Sequence, residues 1–461
     1  MSRSPLATTR AIKGDATAGW CWSLATLVVF AAAILFTVTT EARAMKIQEV
    51  KSPGGITAWL VEEHSVPLLA VRFSFEGGSA QDPVGKEGVA NFLTAMMDEG
   101  AGDLDSLAFQ ERMEEIAMRM SFSDSRDAIY GSFETLTKHK ADALAMLKLA
   151  ITKPRFDEDA VERIKGQLLS SLAYQARDPN RVAARAWSAA AFPGHAYGRS
   201  STGSPESVAT IKAQDLETFR KRTFARSNLK VVAVGDIDAA ALATLLDDVF
   251  GSLPATPQLT PIEVTSPVAG GMQRIIEMDV PQSVAVFGFA GIPRKDPDFV
   301  ACYVVNHILG SGSFASRLME EVREKRGLAY SVYSYLQPYT HAAIFAGSVA
   351  TKNESIKESL DVIKAELDRL AKDGPTDEEL ANAKSFLTGS YPLSFDTNAK
   401  IANQLLGILR EDLGIAYVEN RNDKINGVTI EEAKRAAARM LRTQDLIVTI
   451  VGKPAKMADK G

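Results

Sequence analysis

Apolar positions dominate two runs, Val66-Pro67-Leu68-Leu69-Ala70-Val71-Arg72-Phe73-Ser74-Phe75 and Val280-Pro281-Gln282-Ser283-Val284-Ala285-Val286-Phe287-Gly288-Phe289. Their β-branched and aromatic content predicts a strand at each. A helical stretch follows each run: Gly88 to Met97 after the first, Phe299 to Leu309 after the second. In the first stretch Val89, Phe92, Leu93, Met96 and Met97 fall at i, i+3, i+4, i+7 and i+8, the spacing of one buried stripe. Further on, Phe156-Asp157-Glu158-Asp159 and Thr376-Asp377-Glu378-Glu379 each open a helix with capping-type residues and acids in the first turn. Helices opening at Ser204-Pro205-Glu206 and at Thr429-Ile430-Glu431-Glu432 lead into the apolar runs Leu229–Gly235 and Leu446–Gly452. Those closing strands should be extensively buried.

The two series match with a period of roughly 215 residues, the signature of an internal duplication. Val89-Ala90-Asn91 falls opposite Val304-Val305-Asn306 in that register. Leu253-Pro254-Ala255-Thr256-Pro257-Gln258-Leu259-Thr260-Pro261 punctuates the join with prolines. The expected fold is α+β: two homologous domains, 45–253 and 263–461, with a linker at 254–262. Each would be a mostly antiparallel sheet with helices packed on one face. Together they would form half of a clamshell.

The stretch from Leu309 to Val332 stands apart. Gly310 and Gly312 break the apolar run, and Ser313 is a plausible N-cap. Phe314, Leu318 and Val322 recur at helical spacing, which predicts one apolar stripe. Gly327 follows the cationic last turn Arg323-Glu324-Lys325-Arg326, as a helix C-terminus should look. A strand begins at Leu328, so Arg323 and Tyr330 fold back toward each other across a glycine and can converge on one peptide carbonyl.

The string Gly312-Ser313-Phe314-Ala315-Ser316-Arg317-Leu318, running into Arg-Glu-Lys-Arg-Gly-Leu-Ala-Tyr, resembles the C-terminal half of the M16 (pitrilysin-like, inverted zinc-motif) peptidases. It is similar to their processing-peptidase branch, and the resemblance spans essentially the whole chain after the N-terminal segment. It implies that Arg323 and Tyr330 hold the substrate backbone and support the tetrahedral intermediate.

In catalytic members of that family a helix carries His-x-x-Glu-His, two zinc ligands and a water-activating glutamate. Here Asn91, Thr94 and Ala95 stand at the three positions. An amide oxygen is a poor zinc ligand, a threonine is no general base near neutral pH, and an alanine has no donor atom. The family's third ligand, a glutamate on a later helix ending in Asp178-Pro179, falls at Ser170 or Ser171. The resemblance therefore implies a non-catalytic, substrate-binding subunit of a heterodimeric zinc metallopeptidase acting on peptides. It would bind no metal cofactor itself, the zinc being expected in a partner subunit that bears the motif, and would be inactive alone. The alternative is an M16-fold scaffold or peptide-binding protein with no part in proteolysis. A self-sufficient metalloenzyme is the third possibility.

The remaining candidates add little. His64, His139, His195, His307 and His341 show no ligand spacing among themselves. His64 reads as an exposed turn residue, His307 as a core or interface group, and His195 as part of a loop signature. Cys302 lies in an apolar run and reads as a small buried hydrophobe. At 461 residues, with 46% hydrophobic and 24% charged residues, the chain is an ordinary globular protein long enough for two cores. A net charge of −5 without a basic run argues against nucleic acid.

Arg3, Arg10 and Lys13, the apolar Ser23–Val38 and the Ala42-Arg43-Ala44 site read as a signal peptide over 1–44. The expected location is periplasmic, with no membrane contact beyond the export signal; the alternative is an uncleaved anchor. Cys21 precedes the apolar stretch, which excludes a lipobox. Cys302 is then the sole cysteine of the exported chain, and no intrachain disulfide can form.

Overall fold

Strand-forming runs of period two assemble into two twisted sheets. In a computed structural model that describes residues 45–455 and 457, the first sheet holds β1 (Ile47–Lys51), β2 (Thr57–Glu62), β3 (Leu68–Glu76), β4 (Arg119–Asp124), β5 (Ala128–Leu136) and β6 (Leu229–Gly235). The second holds β7 (Met272–Glu277), β8 (Gln282–Ala290), β9 (Ala329–Pro338), β10 (Ala343–Lys352) and β11 (Ile447–Gly452). The signal-peptide reading of 1–44 lies outside the described residues, as does the side chain of Ser313.

Strand order runs β1-β2-β6-β3-β5-β4 in the first sheet and β7-β11-β8-β10-β9 in the second. Without β1 the two orders superimpose strand for strand. The β2/β6 and β7/β11 pairs are parallel and the other pairs antiparallel, so the duplication is visible in the hydrogen-bond pattern itself. Both edges of special interest, β4 and β9, occupy the same place.

Leu69, Val71, Phe73 and Phe75 of β3 point into a core formed with the helix Val89–Met96 and its neighbours. Ala285, Phe287 and Phe289 of β8 do the same in the second half. This is the expected helical layer on one face. The opposite faces are also covered, each by a helix of the other half. Helix Pro179–Ala191 packs on β8 and β11, where Trp187 is 3% exposed and its Nε1 donates to the Ile447 carbonyl at 3.0 Å. Gly288 leaves room for that ring, since a Cβ there would lie 2.8 Å from Trp187 Cζ2. Helix Asn398–Arg410 packs on β3 and β6, where buried Arg72 donates to Asn403 Oδ1 at 2.9 Å and pairs with Glu134 at 2.5 Å. Residues from Ile47 onward accordingly form one compact unit.

The capping signals act unevenly. Ser204, Thr376 and Thr429 each accept the expected N3 amide in a capping box. Asp157 sits at its N-cap without such a bond, because Arg155 Nε takes its carboxylate at 2.6 Å. Among the described residues no helix is long and apolar enough to cross a membrane.

Candidate functional site

The segment from Gly310 to Tyr330 departs from the helix expected there. Helix Phe299–Asn306 continues into a wider π turn, His307–Ser311, closed by Gly312 N donating to His307 O at 2.9 Å. A 3₁₀ turn spans Ser313–Ala315, and a second π turn runs Met319–Glu324. Such insertions recur where a side chain must be re-aimed. Leu318 and Val322 are buried as the stripe predicted, but Phe314 is 64% exposed. The 3₁₀ turn breaks the helical phase and rotates its ring outward. Arg317 fixes the segment from beneath, with Nε at 2.5 Å and Nη2 at 2.6 Å from the two Glu379 oxygens, a forked ion pair.

Gly327, at φ +61°, then reverses the chain; its N–H donates to Arg323 O and that of Leu328 to Val322 O. This closes the helix as its glycine predicted. Strand β9 follows at the edge of its sheet. Its register against β10 slips there: Ser331 faces Ala350 and Ala329 faces Thr351, leaving Tyr330 as the extra residue of a bulge. A bulge turns a side chain out of the alternation. Tyr330 is 80% exposed and joins Ser331, Tyr333 and Tyr335 on the open side of the strand. The Arg323 guanidinium lies 4.9 Å from the Tyr330 ring centroid and 4.7 Å from that of Phe314. Two rings thus hold one cation at the surface, an arrangement worth about 0.5–1 kcal/mol per contact when exposed. Phe314 was missed as a site residue, because its spacing matched a core stripe.

In the first half, Asn91 sits on helix Val89–Met96 and donates from Nδ2 to Asp124 Oδ1 of β4 at 3.0 Å. Thr94 is buried and donates to the Asn91 carbonyl at 2.8 Å, and Ala95 packs against the core. Ser170 and Ser171 are exposed on helix Glu158–Gln175 and bonded within it, to Gly166 O at 2.8 Å and from Gln175 Nε2 at 3.1 Å. These residues do not fit zinc: the amide and the hydroxyl are committed to protein partners, and the third position carries a methyl. Among the described residues no three His, Cys, Asp or Glu side chains gather in a group able to hold a metal ion.

Two buried carboxyls beside this helix were not singled out in the sequence. Burial pushes Asp82 up to about 8, although the Gly88 and Ala90 amides donate to it at 2.7 and 3.0 Å. Burial likewise raises Asp124, against the stabilising bond from Asn91. Asp82 has a sequence signal, an acid just ahead of a helix start; Asp124 has none.

The rings of His195 and His341 both lie against Tyr197, while His64 and His307 have other partners. His64 donates toward Asp236 at 2.7 Å at the surface, which raises its pKa. His195 accepts the Tyr197 amide in its loop. His307 stacks on Phe386 with centroids 5.0 Å apart, and burial lowers its pKa. Cys302 is buried, with burial pushing its thiol up to about 12.

Comparison with known proteins places these features. The family described as Insulinase (Peptidase family M16) matches residues 59–204, and that described as Peptidase M16 inactive domain matches residues 210–387. The crystal structure of a peptidase M16 inactive domain from Pseudomonas fluorescens superposes with a TM-score of 0.84 at 30% identity, covering 90% of this chain and 99% of that one. A Helicobacter pylori protein named non-peptidase homolog YmxG is 26% identical, over 90% of this chain and 96% of its own. The β subunit of the mitochondrial processing peptidase of Blastocladiella emersonii is 23% identical, over 88% and 89% respectively.

Proposed function

We propose that this chain, which belongs to the M16 peptidase family as a non-catalytic member, is the peptide-holding subunit of a heterodimer whose partner carries the zinc motif. One observation carries the reading: a half-buried guanidinium stacked between two exposed rings on an edge strand, in a chain whose positions 91, 94 and 95 offer no zinc ligands. Among the described residues strand β9 has no ladder partner on its outer side, so an extended peptide can add there through its backbone. Arg323 would then donate to a peptide carbonyl, a charge-assisted bond, and Tyr330 would donate to the oxyanion that forms during cleavage. Zinc, general base and attacking water would all come from the partner.

Export to the periplasm, through the segment 1–44, belongs to the same proposal. The non-peptidase name of the Helicobacter pylori relative favours the second reading, a scaffold or peptide-binding protein with no part in proteolysis.

Co-expression with an M16 sibling bearing His-x-x-Glu-His, followed by a peptide-cleavage assay, separates the two readings. Under the first, the pure chain cuts nothing, the pair cuts, and Arg323→Ala disables the pair without preventing assembly. A pair that cleaves equally well with Arg323→Ala, or chelator-sensitive cleavage by the pure chain, overturns it.

A further inference from the structure

The second half contains an open cleft of about 710 Å³. Its walls come from helix Phe299–Asn306, the stretch from Asp377 to Phe395, and the helices Asn398–Arg410 and Ala416–Asn426. That volume suits a small ligand or one end of a chain, since such sites run roughly 300–1,000 Å³. Six aromatic rings line it, Phe299, Tyr303, Tyr335, Phe386, Tyr391 and Tyr417. His307 belongs to it as a ring, its pKa lowered by burial, and stacks on Phe386, which is 59% exposed.

The charges in the cleft do not cancel. Arg294 is neutralised by Glu411 at 2.5 Å and also donates to Tyr417 Oη at 2.9 Å. Arg421 lies 4.1 Å over the Tyr391 ring and donates to the Leu387 carbonyl and to Asn422 Oδ1. No carboxylate pairs with it among the described residues. The Tyr391 hydroxyl beside it is buried without a hydrogen-bond partner among the described residues, a state that is costly unless something supplies one. Apolar walls with one surplus guanidinium and one unsatisfied hydroxyl select an amphiphilic anion. The cleft is also continuous with the peptide-binding surface, because Ser311 of the glycine-rich turn and Tyr335 of β9 line it.

We infer that this cleft takes the C-terminal residue of a bound peptide, a bulky apolar side chain against the aromatic wall and its free carboxylate on Arg421. The assignment rests on the reading of the chain as a peptide holder. It gives the enzyme pair a way to measure from a substrate's end, independent of the residues at the cut.

The test uses the full chain and isothermal titration calorimetry with a short peptide ending in phenylalanine, as free acid and as C-terminal amide. The acid is expected to bind at least tenfold more tightly than the amide, and Arg421→Gln should abolish that ratio. Gly407 lines the cleft, and a Cβ there meets nothing within 4 Å. Gly407→Leu should therefore fill the cleft and weaken the acid at least tenfold without lowering the melting temperature. Arg323→Ala should weaken both peptides and preserve their ratio. Equal binding of acid and amide to the wild type overturns the cleft assignment and leaves the peptide-holding reading intact. Failure of both peptides to bind, with or without the zinc-bearing partner, overturns the reading itself. Displacement of the peptide by dodecanoate at lower concentration than by N-acetylphenylalanine assigns the cleft to lipid and overturns the peptide occupant.

Discussion

The two halves fasten a helix to an edge strand at the same place with different chemistry. In the first, Asn91 donates to the Asp124 carboxylate of β4. In the second, the Asn306 side chain accepts from the Ser334 hydroxyl of β9 at 2.8 Å. The register that aligns Asn91 with Asn306 also aligns their strands. At Asn91, where the sequence resemblance would put the first zinc histidine, this chain has the residue its own other half uses as a tie. Asn91 is a structural tie, while the exposed Tyr330 and its cationic neighbour Arg323 lie at β9. The first junction is nevertheless the less settled of the two, because it buries two carboxyls where the second buries a neutral hydroxyl.

The contrast breaks most sharply at the surface. In an active pair Arg323→Ala should cost about 100-fold in cleavage, the order expected when a preorganised donor is removed, and Tyr330→Phe somewhat less. Steady-state kinetics on the assembled pair measures both, and near-normal rates would overturn the peptide-holding role of Arg323 and Tyr330.

A second difference lies in pH dependence. Folding holds Asp82 at about 8, against about 3.9 in an unfolded chain. Between those values the folded chain keeps a proton that the unfolded chain has released, so stability falls as pH rises. From pH 5 to pH 8 the loss should be about 3–4 kcal/mol, and Asp82→Asn should flatten it. Urea melts at the two pH values test this.

Removing the ties compares the junctions directly. Asn91→Ala strands a buried carboxyl and should cost about 2 kcal/mol, whereas Asn306→Ala strands a hydroxyl and should cost about 1 kcal/mol. Equal costs would mean that Asp124 relaxes to another partner. The smallest effect is a control on the helix beside the first junction. Gly166 faces open space in helix Glu158–Gln175, so Gly166→Ala should add about 0.5–1 kcal/mol without touching the junction.

Much of this architecture was legible in the sequence. The strands β3, β6, β8 and β11 follow from period-two and continuous apolar runs, and the helix starts at Ser204, Thr376 and Thr429 from their capping residues. The convergence of Arg323 and Tyr330 followed from a glycine between a helix end and a strand start. Phe314 failed because a 3₁₀ turn and a π turn leave no mark in a periodicity of 3.6. The covering of each sheet by the other half's helix also went unread. Ala183, Trp187 and Ala191 formed a stripe, but nothing local in it named the sheet it would meet. Burial of Asp82 and Asp124 likewise depends on neighbours distant in the chain.

The exchanged helices have a consequence for how the molecule comes apart. Severing the chain between Leu253 and Pro261 would give two fragments, each missing the lid of its own sheet and carrying the lid of the other. Neither would be a self-sufficient folding unit. They should regain their shape only when mixed, and the uncut protein should melt in a single step despite its doubled ancestry.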